Sequence, residues 1–190
     1  MKTKLALLTL AMSCTFATSA MALTKAEYKA ENTRISSEYK VNKEKCGALK
    51  ANAKDICSSE AKGIEKVAKA EAEANYEPSA RHTEKVAMVK ADTTYDTAKE
   101  KCDDLAGNAK DVCVKDAKAA HVRMKEDAKV AKVSADTTKS KGDKVNSAQK
   151  DATEEKREAD YKAARERCDS LAGVPKDSCQ SDAKMKYGMK

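Results

Sequence analysis

Apolar and aromatic side chains recur along this chain at helical intervals, separated mostly by Ala, Lys, Glu and Asp. Tyr39, Cys46 and Leu49 are spaced by seven and three residues, which places them on one helical face, and the stripe runs back through Ile35 to Tyr28. The same spacing returns at Tyr95, Cys102 and Leu105 and again at Tyr161, Cys168 and Leu171. A second stripe comes after the later cysteine of each set, as in Cys113, Ala117, Ala120 and Met124, and consists mainly of alanine. Small residues there would let two helices approach closely.

These stripes belong to three copies of one unit: "EYKVNKEKCGALKANAKDICSSEAK" from Glu38, "TYDTAKEKCDDLAGNAKDVCVKDAK" from Thr94 and "DYKAARERCDSLAGVPKDSCQSDAK" from Asp160. Each unit reads as an antiparallel helical hairpin. Gly107 and Gly173 suit a left-handed position just past the first helix, and Asn108 with Asp111 suits a capping box that starts the second. Pro175 stands at the first position of the third copy's second helix, where proline is tolerated. The first copy has Ala51 in place of glycine, so its turn is expected to be the least ideal. One cysteine is placed about one turn before the end of the first helix and the other about one turn into the second.

This arrangement pairs Cys46 with Cys57, Cys102 with Cys113 and Cys168 with Cys179. The repeat favours local pairing over every other that six cysteines allow. Each closed loop of about twelve residues contributes roughly 3 kcal/mol, chiefly by restricting the unfolded chain.

The break "NYEPSA" ends the first unit, because Pro78 disfavours a helical Glu77 and Ser79 can cap the next helix. A weaker break, "TTKSKGDK", separates the second unit from the third. The expected organisation is a leader over residues 1–22 and hairpins over 23–76, 77–139 and 140–190. Helices of about 20 to 30 residues would span roughly 30 to 45 Å. The expected fold is all-α, three disulfide-fastened hairpins in an elongated arrangement.

Composition explains the need for fastening. After residue 22 the chain has no Trp and no Phe, and Leu, Ile and Val make up about a tenth of it. Helix formers are abundant, while the two Pro and six Gly are confined to a few points. Long helices with thin cores result, and such an object needs additional fastening.

The opening "MKTKLALLTLAMSCTFATSAMA" has the basic start, the short apolar run and the small-residue site of a secretory leader, with Lys2 and Lys4 at its head. Cleavage after Ala22 leaves Leu23 first, and cleavage after Ala20 is the alternative. A lipid anchor at Cys14 would need the Leu usually found three residues earlier, which "AMSC" lacks. Loss of the leader takes Cys14 with it and leaves six cysteines, an even number suited to an oxidising compartment. It also lowers the formal net charge from +7 to about +5. No later stretch is apolar enough to span a membrane, so a soluble periplasmic chain is expected.

Other chemistry finds little support. Redox use of the cysteine pairs would need an exposed thiolate of low pKa, and the triplicate spacing looks architectural instead. No short Cys or His spacing of a metal site occurs. His82 and His121 are unrelated by the repeat and read as surface residues, and Met88, Met124, Met185 and Met189 form no cluster. The carboxylates alternate with Lys and Arg at helix-pairing distances, as on a solvated helix face. Runs such as "AAHVRMKEDAKVAKV" carry too many acids and no aromatic anchors for lipid or nucleic acid. No catalytic residues, cofactor, metal or nucleic-acid partner is expected, and a peripheral contact with the envelope is left open.

The motif "CDDLAGNAKDVCVKDAKAA", with the leader and the Ala and Lys rich helices, resembles the small exported proteobacterial proteins labelled cell envelope biogenesis or TolA-like. That resemblance covers the mature chain through its repeats and implies a non-enzymatic periplasmic role with an envelope protein as partner. "SAQKDATEEKREADYKAA" is similar to desiccation-protectant helices, which implies the alternative of a stress-protective, chaperone-like binder.

Overall fold

The computed structural model describes residues 22–135 and 141–190. Residues 1–21 of the expected leader, with Lys2, Lys4, Cys14 and Ala20, lie outside the described residues. Among the described residues six helices succeed one another: α1 Lys25–Cys46, α2 Ala51–Tyr76, α3 Ala80–Cys102, α4 Gly107–Ala135, α5 Lys141–Arg167 and α6 Gly173–Tyr187. A short 3-10 turn, Cys168–Ser170, joins the last two. The described residues include no strand, and the fold is all-α with three disulfide-fastened hairpins.

Each helix packs chiefly on its neighbours in the chain, and the seams between hairpins, α2 with α3 and α4 with α5, are as extensive as those within them. α3 shows how this works. Tyr95 lies toward α4, whereas Thr97 and Glu100, on the opposite side of the helix, meet α2. Every inner helix is therefore flanked on two sides by its chain neighbours, and the hairpins stand side by side in one layer whose two broad faces no other described element covers.

The core is confined to the seams. Among the described residues the buried apolar ones are nine alanines, three cysteines and Ile35. Gly63 shows how close the backbones come, since a Cβ added there would lie 3.2 Å from the Cβ of Thr93. Because alanine burial removes little apolar area from water, the seams alone provide modest stability.

Local signals fix the helix ends. Thr24 and Glu27 form a capping box at the start of α1, a Ser/Thr-x-x-Glu pattern beyond the expectations drawn from the repeats. Ser79 caps α3 as expected, accepting from the His82 N–H at 3.1 Å. Of the weaker break, residues 136–140 lie outside the described residues, and Lys141–Lys144 already belong to α5.

The hairpin turns differ from expectation in register. Cys46 and Cys102 are the last residues of α1 and α3, and Cys57, Cys113 and Cys179 lie nearly two turns into the succeeding helices. The cause is a change of hydrogen bonding: Gly47, Ala48 and Leu49 bond three residues back, so the α pattern tightens at the cysteine. Gly107 and Gly173 are left-handed, at φ +55° and +59°, but they open the second helix instead of coming directly after the first. Pro175 is the third residue of α6.

Ala51 adopts the same conformation at φ 48°, where an L side chain is strained. Ala51→Gly relieves that strain at the cost of a freer unfolded chain. A net stabilisation of roughly 0.5–1 kcal/mol is expected in urea unfolding of the oxidised protein.

Candidate functional site

Built from the residues upward, the candidate site is the set of bent ends and seams that hold the helices in register. The three disulfides have Cα–Cα distances of 5.5, 5.6 and 5.7 Å for Cys46–Cys57, Cys102–Cys113 and Cys168–Cys179. In each, the first cysteine is fully buried and the second half-buried. Two turns carry an ion pair across the bend, Asp103–Lys110 and Asp169–Lys176, both at 2.9 Å. The Lys176 hydrogen bond holds the Asp169 carboxyl below its ordinary range, and the Asp103 carboxylate raises Lys110. The first copy has Gly47 at the corresponding position.

A clamp joins successive hairpins. Asn52 donates from Nδ2 to the Glu100 carbonyl at 2.7 Å, and Asn108 donates to the Glu166 carbonyl at 3.1 Å. These carbonyls lie in the last turns of α3 and α5, where the regular α pattern runs out, and that of Glu100 also accepts from the Asp103 N–H at 3.1 Å. Asn108 is thus not the N-cap of its own helix. It serves the end of the next hairpin, a role visible in the sequence only once Asn52 and Asn108 are known to be equivalent.

Ion pairs repeat in the same register. Glu60–Lys101 at 2.9 Å in the first seam corresponds to Asp116–Arg167 in the second, and Glu71–Lys90 at 2.6 Å corresponds to Asp127–Lys156. In the first seam the hydroxyls of Ser59 and Thr97 also meet at 3.1 Å.

His121 is not the surface residue the sequence suggested. It is buried in the α3–α4 seam, stacks on Tyr95 at 4.7 Å between centroids and donates from Nε2 to Asp92 at 2.6 Å. Among the described residues its Nδ1 has no hydrogen-bond partner. Lys125 also reaches Asp92, at 3.5 Å. The fold alone brings these groups together, because the other copies have Glu65 and Tyr187 where the second has His121.

Burial would raise the Asp92 carboxyl, but the His121 hydrogen bond and the Lys125 charge outweigh it and hold the group below its ordinary value. A depressed carboxyl contributes stability that is complete above its unfolded pKa and is lost as pH falls through the folded one. Half-exposure of the Asp92 side chain keeps the effect small. Asp92→Asn is expected to flatten the fall in stability below about pH 4, read from urea midpoints measured through that range.

The remaining candidates are dispersed. His82 lies at the start of α3, with Nδ1 on the Glu77 carbonyl and Nε2 3.6 Å from Glu73. Met88, Met124, Met185 and Met189 are spread over α3, α4, α6 and the tail. Among the described residues no group of three or more His, Cys, Asp or Glu could hold a metal ion. On one broad face an open groove of about 620 Å³ lies between α2 and α3, lined by Gly63, Ile64, Val67, Thr94 and Ala98 and rimmed by Glu60 and Lys101. Ile64 is 60% exposed there.

The chain matches no protein-family model, no curated protein and no solved structure.

Proposed function

We propose that the chain is a non-enzymatic structural and interaction protein of the bacterial cell envelope, exported to the periplasm with its leader removed near Ala22. The observation that carries this reading is the single layer of disulfide-fastened helices. Its seams bury mainly alanine and cysteine, while larger apolar side chains such as Val41, Ile64, Val174 and Met185 stay exposed among charged residues, so the surface offers contacts to other molecules. Three disulfides fit an oxidising compartment, and among the described residues no helix is long and apolar enough to cross a membrane. The TolA-like resemblance of the cysteine hairpins points to the same setting. The partner is an envelope or other periplasmic protein, and the groove beside Ile64 is the apolar point on the described faces best suited to hold it.

A photo-crosslinking residue at position 64, used in intact cells, tests this reading. One or a few defined partners are expected, and Ile64→Lys in a chain crosslinked elsewhere on the same face should lose them. Crosslinks to no defined partner, together with suppressed aggregation of unrelated clients at modest molar ratio, would support the stress-protective binder instead.

A further inference from the structure

The two ends of the row expose the surfaces that join one hairpin to the next. In α3 Thr93, Thr97 and Glu100 meet α2, and helical spacing extends that side back through residues 82, 86 and 89. In α5 Glu166 meets α4, and the same spacing runs back through the buried Ala163 and Ala152 and through residues 159, 155 and 148. The repeat places Ala26, Ala30, Thr33, Ser37, Val41 and Glu44 at the same positions of α1. That stripe lies opposite the side that Ile35 and Cys46 bury against α2, and among the described residues no element covers it. Its first five positions carry no charge, although α1 is otherwise rich in Lys, Arg and Glu, and Val41 is 51% exposed. An end helix with nothing to pack against would be expected to be polar there.

The other end is complementary. α2 and α4 meet the next hairpin through Asn52, Ser59 and Gly63 and through Asn108, Lys115 and Ala119. The third copy places Val174, Ser181 and Met185 at these positions of α6. Val174 and Met185 are 79% and 71% exposed, the highest values among the large apolar residues described.

Charge continues the series. The seams pair Glu60 with Lys101 and Asp116 with Arg167. The next members are Asp182 on α6 and Lys45 on α1, and among the described residues neither has an ion pair.

We propose that this chain self-associates head to tail, with the outer face of α6 in one copy packing antiparallel on the outer face of α1 in the next. Asp182 pairs with Lys45, Ser181 meets Val41, and Met185 lies over Ser37. The third copy lacks two features of the internal seams. Val174 cannot donate to the Glu44 carbonyl as Asn52 does to that of Glu100, and Met185 stands where Gly63 and Ala119 admit close approach. The flexible Met185 side chain fills the wider gap, and an apolar contact replaces the clamp. The result is a weaker, reversible copy of the internal seam. A heterologous contact of this kind builds open chains or a closed ring. The proposal stands apart from the cellular role given above.

Sedimentation velocity of the oxidised chain, over rising concentration, tests it. Growth into oligomers is expected. Asp182→Lys should weaken association about fivefold by placing like charges together, and adding Lys45→Asp to the same chain should restore it. Val41→Asp and Met185→Asp should each stop growth without changing the thermal midpoint. Mixing those two chains should give dimers and nothing larger, because one intact edge remains on each. A chain that stays monomeric throughout, or association that survives both substitutions, overturns the proposal. So does association lost with Val41→Asp but kept with Met185→Asp, which would place α1 on α1.

Discussion

Replacing Cys102 and Cys113 together by alanine is expected to lower the stability of the chain by about 2–5 kcal/mol. Sequence separation across this bridge is 11, so its loss frees a short loop whose closure otherwise restricts the unfolded chain. Alanine is the right replacement because Cys102 is fully buried, and a serine hydroxyl there would risk lacking a partner. The effect should be larger than at either end of the row. The middle hairpin packs against both others, so loosening it also loosens the seams that hold the Asn52 and Asn108 clamps. Thermal unfolding followed by far-UV circular dichroism measures the loss. Unchanged helicity and midpoint, in this variant or after reduction of all three bridges, would remove the fastening role from the cysteines.

The second large effect is steric. Gly63→Leu should cost a net 1–2 kcal/mol or so, because overpacking the α2–α3 seam outweighs the better helix propensity of leucine. Thr93 is the residue in the way, with its Cβ 3.2 Å from where the new Cβ would be. Thr93→Ala in the same chain keeps that Cβ but removes the Cγ2 and Oγ1, which stand 3.7 and 3.8 Å from the new Cβ, in the way of the rest of the leucine side chain. It should therefore recover part of the loss, and the deleted hydroxyl bonds only carbonyls of its own helix, at Val89 and Lys90. Urea unfolding of both single variants and the double variant gives the coupling between them. Additive losses would mean that the seam is looser than the contact at Gly63 implies.

The cysteine pair and the glycine seam differ in how far the sequence discloses them. The hairpins and their cysteine pairs are legible because Tyr, Cys and Leu stand out against an Ala and Lys background, and because three copies align over the whole unit. The seams between hairpins are not. Ser59, Gly63, Thr93 and Thr97 are small residues among many small residues, and nothing in their identity separates a packed stripe from an exposed one. The left-handed turn can be inferred from Gly107 and Gly173, yet its position cannot, because the switch to 3-10 bonding after Cys46 depends on backbone geometry alone. The burial of His121 is hidden for a related reason. Its partners Asp92 and Tyr95 lie on the preceding helix, and neither neighbouring copy has a histidine there to signal the contact.

The thin core, the three bridges and the exposed faces form one physical account. Alanine seams allow long helices to lie close while burying little apolar surface, the disulfides compensate, and no other described element covers the broad sides of the layer. The most direct test, of this account together with the proposed export to the periplasm, is the intact mass of protein recovered from that compartment, with and without thiol alkylation, then non-reducing peptide mapping. The account predicts a chain beginning near Leu23, no alkylated cysteine, and three linked peptide pairs joining Cys46 to Cys57, Cys102 to Cys113 and Cys168 to Cys179. Alkylated or differently paired cysteines in the recovered protein would contradict it.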